Sequence, residues 1–399
     1  MLVVVMIVFA GVGCAKPDKA QAPTVTLAFT NDGRGELTHC ECEGGAAGGL
    51  ARRVGYLNRL RSSERPDRIV ALEAGDFLFA LWPETETEKQ TEKARAMLIA
   101  DGYARAGYDA VLFGTRDYAL GIDVAREVAA KMNTTVLGAN VNDGRTGQPV
   151  WPASKIIQRA GVRIGVLGLV TAKRDGLPPG VAWPAELVVE NPLAAAQRLI
   201  PALRKQCDVL VLLANLDRDE LETLLKETSG VDFVVKSREA KIVTTQVDRL
   251  DRVPVLGLFE LGRYVGRVDL TVVEPGKGYD DLEEQKILRR KIERYRSYVD
   301  AITQKAGGAR QVEKFYAGDQ ATLERYRRYR ESVERWEREL AESKPRGNRF
   351  AYELIELDSQ VPVVRELEQA VTAFETAHGT AESLRQAQFR RHPPPSPQG

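Results

Sequence analysis

Val25-Thr26-Leu27-Ala28-Phe29-Thr30-Asn31-Asp32-Gly33-Arg34-Gly35 is a short apolar run that ends in a polar cluster between glycines. The run is rich in β-branched and large apolar residues, which reads as a buried strand. The same grammar recurs along the chain. Ile69-Val70-Ala71-Leu72 is followed by Glu73-Ala74-Gly75-Asp76. Gly107-Tyr108-Asp109 leads into Ala110-Val111-Leu112-Phe113 and then Gly114-Thr115-Arg116-Asp117-Tyr118. Val209 to Leu213 is followed by Ala214-Asn215-Leu216-Asp217. Thr135 to Gly138 and Val162 to Leu169 read as further strands, while Glu88 to Ala106 and Ile122 to Lys131 carry helical periodicity. Strands alternating with helices predict a layered α/β domain over residues 24–275. Ligand sites in such sheets gather at the carboxyl ends of strands, where this chain places its polar clusters. One Asp after a strand is usually a turn residue; four clusters in this order are far more specific.

Composition narrows the function. Lys+Arg number 57 and Asp+Glu 56 in 399 residues, so there is no basic excess to suit nucleic acid or an anionic membrane. The three histidines are His39, His378 and His392, too few for a His-rich catalytic centre.

From Asp280 the pattern changes. Leu288, Ile292, Tyr295, Val299 and Ile302 step by four and three, as do Tyr326, Tyr329, Val333, Trp336 and Leu340. These are heptad-like stripes on Arg/Glu-rich helices, broken by Gly307-Gly308, and they predict a helical hairpin within an extension over 280–379. The charged positions read as solvated faces and the aromatic ones as packing. Phe350, Tyr352 and Leu354 alternate like a short strand, and Val364, Leu367, Val371 and Phe374 mark one more helix. Residues 380–399, ending in a Pro-rich run, are expected to be a disordered tail.

Residues 1–13 form an uncharged apolar run, shorter than the roughly 20 residues that span a bilayer. It reads as the apolar part of a signal peptide; the positive segment that should precede it is missing, which points to a start further upstream. Gly11-Val12-Gly13-Cys14 is similar to a lipobox, with Gly where Leu is usual, so Cys14 is the expected lipidation site and residues 14–23 a tether. Plain secretion and an uncleaved anchor are the competing readings. Export would put Cys40, Cys42 and Cys207 in an oxidising compartment. Cys40-Glu41-Cys42 could form only a small strained ring, a redox pair in one reading and a loop disulfide or inert thiols in the other.

The order of the four clusters resembles the calcineurin-like metallophosphoesterases, in particular their periplasmic 5′-nucleotidase branch, over about residues 24–275. Gly48-Gly49-Leu50-Ala51-Arg52-Arg53, Gly138-Ala139-Asn140-Val141 and Gly262-Arg263-Tyr264-Val265-Gly266-Arg267 support it. The resemblance implies a β-sandwich flanked by helices, two divalent ions held by Asp, His and Asn, and phosphoester hydrolysis by two-metal catalysis. Position by position, Asp32 and Asp76 match ligands. Arg34 stands where the first His belongs, Thr115 replaces the ligand Asn, Arg116 replaces the catalytic His, and Asp117 takes the acidic place beside it. Asn215 replaces the next His, and Ser237-Arg238-Glu239-Ala240 replaces the Gly-His-x-His motif. The branch's base-stacking C-terminal domain is also replaced, by the charged helices. A subgroup of exported relatives pairs a cysteine insert like Cys40–Cys42 with the Gly-Gly-Leu-Ala-Arg-Arg stretch, and some continue into a cytochrome region. This chain carries no haem motif.

A guanidinium has five donors and no acceptor, so it neither ligates a metal nor acts as a base, but it pairs with carboxylates. The substitutions therefore read as an exchange of metal cations for fixed positive charge beside Asp32, Asp76 and Asp117. Three consequences are open: an oxyanion site on Arg34, Arg116 and Arg238, an ion-pair network that only keeps the fold, or a weak oxygen-ligand site for one Mg²⁺ or Ca²⁺ on Asp32, Asp76 and Asn215. The expectation is a periplasmic, outer-membrane-anchored lipoprotein in a non-catalytic binding or scaffold role. It needs no cofactor and meets a protein partner through the helical extension. The alternatives are a phosphoric or sulfuric ester hydrolase with a reduced divalent-metal site, and a redox component using Cys40 and Cys42.

Overall fold

A computed structural model describes residues 22–38, 47–63, 65–174, 177, 183–238, 247–258, 261–342 and 347–391. Its strands in chain order are β1 (Thr24–Thr30), β2 (Ile69–Glu73), β3 (Ala110–Leu112), β4 (Thr135–Leu137), β5 (Val141–Asp143), β6 (Ser154–Arg159), β7 (Val162–Val170), β8 (Leu187–Val189), β9 (Val209–Asn215), β10 (Phe233–Ser237), β11 (Asp248–Leu250), β12 (Val253–Leu256), β13 (Tyr264–Thr271), β14 (Asp280–Asp281) and β15 (Arg349–Glu356). The helices are α1 (Leu50–Ser63), α2 (Glu86–Ala106), α3 (Gly121–Met132), α4 (Pro192–Arg204), α5 (Arg218–Glu227), α6 (Leu282–Lys305), α7 (Val312–Phe315), α8 (Gln320–Glu342), α9 (Arg365–His378) and α10 (Ala381–Arg391). All six strands and both helices expected from the main-domain sequence are present within a residue or two.

Two sheets form the sandwich. The first runs β14-β15-β13-β1-β2-β3-β4 and the second β11-β12-β10-β9-β7-β6. β1 to β4 are mutually parallel, as are β7, β9, β10 and β12, with antiparallel strands at the flanks. The period-2 alternation of side chains divides the core. Val209, Val211 and Leu213 of β9 face the large core shared with the first sheet, while Leu210, Leu212 and Ala214 face a second core under α4 and α5. This explains the continuous apolar run: β9 is buried on both sides. α1 buries Leu50, Val54, Leu57 and Leu60, and α3 buries Ile122, Ala125, Val128 and Met132, each a single helical stripe in the large core. α2 starts at a capping box between Thr85 and Glu88 and stops at Gly107, whose φ of 65° places it in the left-handed region.

The segment after residue 275 divides into parts. α6 and α8 form the expected hairpin: Leu288, Ile292 and Val333 pack with Tyr295, Trp336 and Leu340, and Val299 and Ile302 pack with Leu323 and Tyr326. β15 is not part of a helical layer. It lies antiparallel to β13 over eight residue pairs, from Tyr264 opposite Glu356 to Thr271 opposite Arg349, and so extends the first sheet. The alternation of Phe350 and Tyr352, both buried, reflects that place. α9 covers α1 and α2, with Leu367 and Val371 in the large core. The expectation of disorder from residue 380 fails for residues 381–391, which form α10. Its composition lacks an apolar stripe, but its polar side chains find partners on the main domain. The Pro-rich residues 392–399, the apolar leader, Cys14, Cys40 and Cys42 lie outside the described residues. Among the described residues, no helix is long and apolar enough to cross a membrane.

Candidate functional site

The carboxyl ends of β1, β2, β3, β9 and β10 meet at one end of the sandwich, and Asp32, Arg34, Asp76, Thr115, Arg116, Asp117, Asn215 and Arg238 lie there; Asp109 does not, since it precedes β3 and pairs with Arg159. The loops after β1 and β2 stay zipped beyond the sheet: Asp32 N donates to Gly75 O (3.0 Å), Arg34 N to Asp76 O (2.9 Å) and Gly35 N to Phe77 O (3.0 Å). Gly114 lets the third loop in. A Cβ there would stand 2.4 Å from Asp76 Oδ1 and 2.8 Å from Asn215 Nδ2, so only glycine fits.

Asp32 and Asp76 are buried and held mostly by amides. Asp32 Oδ2 accepts from Arg238 N (2.7 Å) and Asn31 Nδ2 (3.1 Å), while Oδ1 is buried with no hydrogen-bond partner. Asp76 Oδ1 accepts from Arg116 N (2.8 Å) and Oδ2 from Asn215 Nδ2 (2.9 Å). Burial, and then the Asp76 carboxylate, push the Asp32 pKa up to about 7 against the opposing pull of Arg34. Asp117 has a different task. Its Oδ2 accepts from Asp76 N and Gly114 N, and its Oδ1 from Phe77 N and Leu78 N, all within 2.9 Å. Burial and Asp76 raise its pKa, the amides of Leu78, Gly114 and Asp76 oppose, and the side chain knots two loops together.

The arginines do not act as one group. Arg116 meets Asp76 through its backbone; its Nη2 donates to Ala80 O (3.2 Å) and its guanidinium carbon lies 6.0 Å from the centre of the Trp82 ring. Arg238 likewise meets Asp32 through its backbone, and its Nε turns to Asp217, which Lys173 also pairs at 3.1 Å. Arg34 bears electrostatically on both Asp32 and Arg116.

Asn215 decides the fit of a metal. Its Oδ1 accepts from Thr115 N (3.0 Å) and Thr115 Oγ1 (2.9 Å). A backbone N–H can only donate, so the amide orientation is fixed. Nδ2 then faces Asp76 and Ser237 Oγ (2.8 Å). Asn215 offers an ion a donor N–H where a ligand oxygen is needed, and Thr115 is spent on Asn215. Among the described residues, no three His, Cys, Asp or Glu side chains are grouped to hold a metal. The donor set does not fit a two-metal centre.

One buried network was not anticipated in the sequence. Glu73 Oε2 accepts from Thr30 Oγ1 and Tyr103 OH (both 2.6 Å), Tyr108 OH donates to Thr30 Oγ1 (2.7 Å), and Arg53 Nη1 donates to Tyr103 OH (2.9 Å). Burial raises the Glu73 pKa, and Arg53 opposes it. Glu73 and Arg53 each sit in quoted motifs, but only the fold shows that they share one interior.

No family model matches the chain. A probable 5′-nucleotidase of Treponema pallidum is 27% identical over 278 residues, covering 66% of this chain and 44% of that protein. A 5′-nucleotidase of Vibrio vulnificus is 25% identical over 185 residues, covering 45% of this chain and 31% of the relative. The chain thus spans less than half the length of these curated relatives. Among solved structures, the Thermus thermophilus 5′-nucleotidase precursor superposes with a TM-score of 0.52 at 23% identity, over 64% of this chain and 52% of that one. The Haemophilus influenzae NAD nucleotidase gives 0.53 at 17% identity, over 63% and 47%.

The fold is that of the calcineurin-like metallophosphoesterases.

The metallophosphoesterase likeness also reaches past the sandwich. A sulfate thiohydrolase of Thermus thermophilus superposes with a TM-score of 0.61 at 13% identity, over 90% of this chain and 62% of that one. A match of that extent must include part of the segment after residue 275, as the insertion of β15 into the first sheet requires. Within this fold, Asp32 and Asp76 lie just beyond the carboxyl ends of β1 and β2.

Proposed function

We propose that the chain is a non-hydrolytic binding member of the metallophosphoesterase fold whose former metal cleft receives a small oxyanion. The observation that carries this reading is the fixed orientation of Asn215: it satisfies Asp76 with an N–H, so the carboxylate is already paired by protein. Arg34 and Arg116 supply the positive charge that an anion needs at the same end of the sandwich. Arg238, the third arginine expected here, spends its Nε on Asp217. The α6/α8 hairpin serves as the surface for a protein partner, and Cys14 as a lipid anchor that holds the exported protein at the envelope; palmitate labelling of Cys14 tests the anchor.

Elemental analysis of the purified protein, calorimetry with inorganic phosphate and sulfate, and turnover of an aryl phosphate with added Mn²⁺, Mg²⁺ or Ca²⁺ test the main reading. Anion binding weakened at least tenfold by Arg116→Ala, with no bound transition metal and no turnover, is the expected result. Two equivalents of a transition metal, or turnover abolished by Asp76→Asn, overturn it.

A second reading, an ester hydrolase with a single ion, draws support from the unpartnered Asp32 Oδ1 and from the 5′-nucleotidase relatives. A proton satisfies that oxygen equally well, since Asp32 holds one up to about pH 7. The redox reading of Cys40 and Cys42 is tested by thiol titration with and without reductant.

A further inference from the structure

The C-terminal helix bears on the same cleft. Arg385, Gln388 and Arg391 follow one another at three-residue steps along one face of α10. Arg385 Nη1 donates to the Arg34 carbonyl (3.0 Å), and its other amino group pairs with Glu36. Gln388 Nε2 donates to the Trp82 carbonyl (2.7 Å) and to Glu84 (3.2 Å), and Arg391 pairs with Glu88 at 2.5 Å. Polar contacts thus seat α10 on the loops that carry Arg34 and Trp82.

Two donors in this corner have no acceptor. Trp82 is 3% exposed and its Nε1 is buried without a hydrogen-bond partner; the same holds for Arg116 Nε. The Arg116 guanidinium and the Trp82 ring are 6.0 Å apart. Arg116 also becomes less basic, first through burial and then through Arg34, against the opposing pull of Asp76 and Asp117, and Arg385 adds a further like charge beside it. Buried N–H groups are costly when unpaired, and neighbouring guanidinium groups repel. A ligand with several negatively charged acceptor oxygens answers both at once.

Resting on the oxyanion reading above, we propose that phosphate or sulfate, free or as an ester, binds between Arg116, the Trp82 indole and Arg385, so that α10 forms the closing wall of the anion site. Arg116 and Arg385 hold the ligand by charge-assisted hydrogen bonds, and Trp82 Nε1 supplies a neutral donor that fixes its position. Binding and docking of α10 are then coupled: the anion neutralises the repulsion that otherwise loosens the helix.

Hydrogen exchange of the full chain, in phosphate, sulfate or chloride at matched ionic strength, reads the coupling directly. Phosphate or sulfate is expected to slow exchange in residues 381–391 at least tenfold, and the more protective of the two names the ligand class. Arg385→Gln should weaken binding about tenfold and abolish that protection, and Trp82→Phe should weaken binding less. Gln388→Ala, which loosens the helix without removing charge, should weaken binding and keep the protection measurable. Anion binding that leaves α10 exchange unchanged and is indifferent to Arg385→Gln overturns the closing-wall proposal alone. No binding of either anion overturns it together with the oxyanion reading.

Discussion

Asp32, Arg34, Asp76 and Arg238 all hold left-handed backbone, with φ of 49°, 42°, 61° and 67°. Side chains other than glycine pay of order 1 kcal/mol or more each for such conformations, which persist only where surrounding contacts over-determine them. Here the zipped loops after β1 and β2 and the Asp117 knot do so. The cleft therefore keeps the shape that aims side chains inward, although two of the four strained positions now carry arginine. Asp32 is one of two buried carboxyls, with Asp117, that make this cleft depend on pH. Its folded pKa of about 7 exceeds the ordinary 3.8, so the native state binds the extra proton. The stabilisation is fully present below about pH 4 and is lost as pH rises towards 7. That interval corresponds to on the order of 4 kcal/mol at most. Asp32→Asn, which keeps an acceptor for Arg238 N, should make the stability profile less steep between about pH 4 and 7, with Asp117 and Glu73 supplying remaining slope, and raise the urea midpoint measured above pH 7. Urea titrations across this range check it; a variant that follows the wild-type profile would assign the slope to another group.

Among the elements, the strands were the most legible. β1, β2, β3 and β9 each combine a short β-branched run with a polar end, and burial on both faces leaves no other reading of such runs. β15 was visible only as an alternation at Phe350, Tyr352 and Leu354, because it is a flank strand with one polar face. The α6/α8 stripes were legible because a helix buried along one side must repeat by threes and fours. Their cores are small and separate from the main one, which sets a prediction. Ile292, 4% exposed between Leu288 and Val333, should cost about 2–4 kcal/mol on Ile292→Ala. The loss should be local. Hydrogen exchange should quicken in α6 and α8 while β1 and β13 stay protected; acceleration across the main sheet would show that the hairpin and the sandwich unfold as one.

For the whole molecule, the position of β15 binds the C-terminal segment to the sandwich. β13 has β1 on one side and β15 on the other. Cutting the chain after residue 275 would leave β13 as a long open edge and uncover the parts of α1 and α2 under α9. The shortened protein should aggregate, while a chain ending at residue 391 should remain monodisperse in size-exclusion chromatography with light scattering. A soluble, cooperatively folding 24–275 fragment would restore the simpler division into a catalytic-type domain and an appended hairpin.

The alternation of strands and helices, the four polar clusters at strand ends, the scarcity of histidine and the facing stripes of the hairpin could all be read from residue order alone. Each is a local property, set by the period of an element or by the chemistry of one side chain. How Arg116, Arg238 and Asn215 are used followed from the packing of distant segments. Direction is not written in residue type: Arg116 and Arg238 reach the aspartates through backbone N–H groups while their side chains turn elsewhere, and Asn215 presents its amide nitrogen because Thr115 N holds its oxygen. The Glu73–Tyr103–Arg53 network and the seating of α10 on Arg34 and Trp82 join residues far apart in sequence, and no periodicity marks them. The few histidines could be counted in the sequence; what the cleft offers a ligand depended on where each donor points.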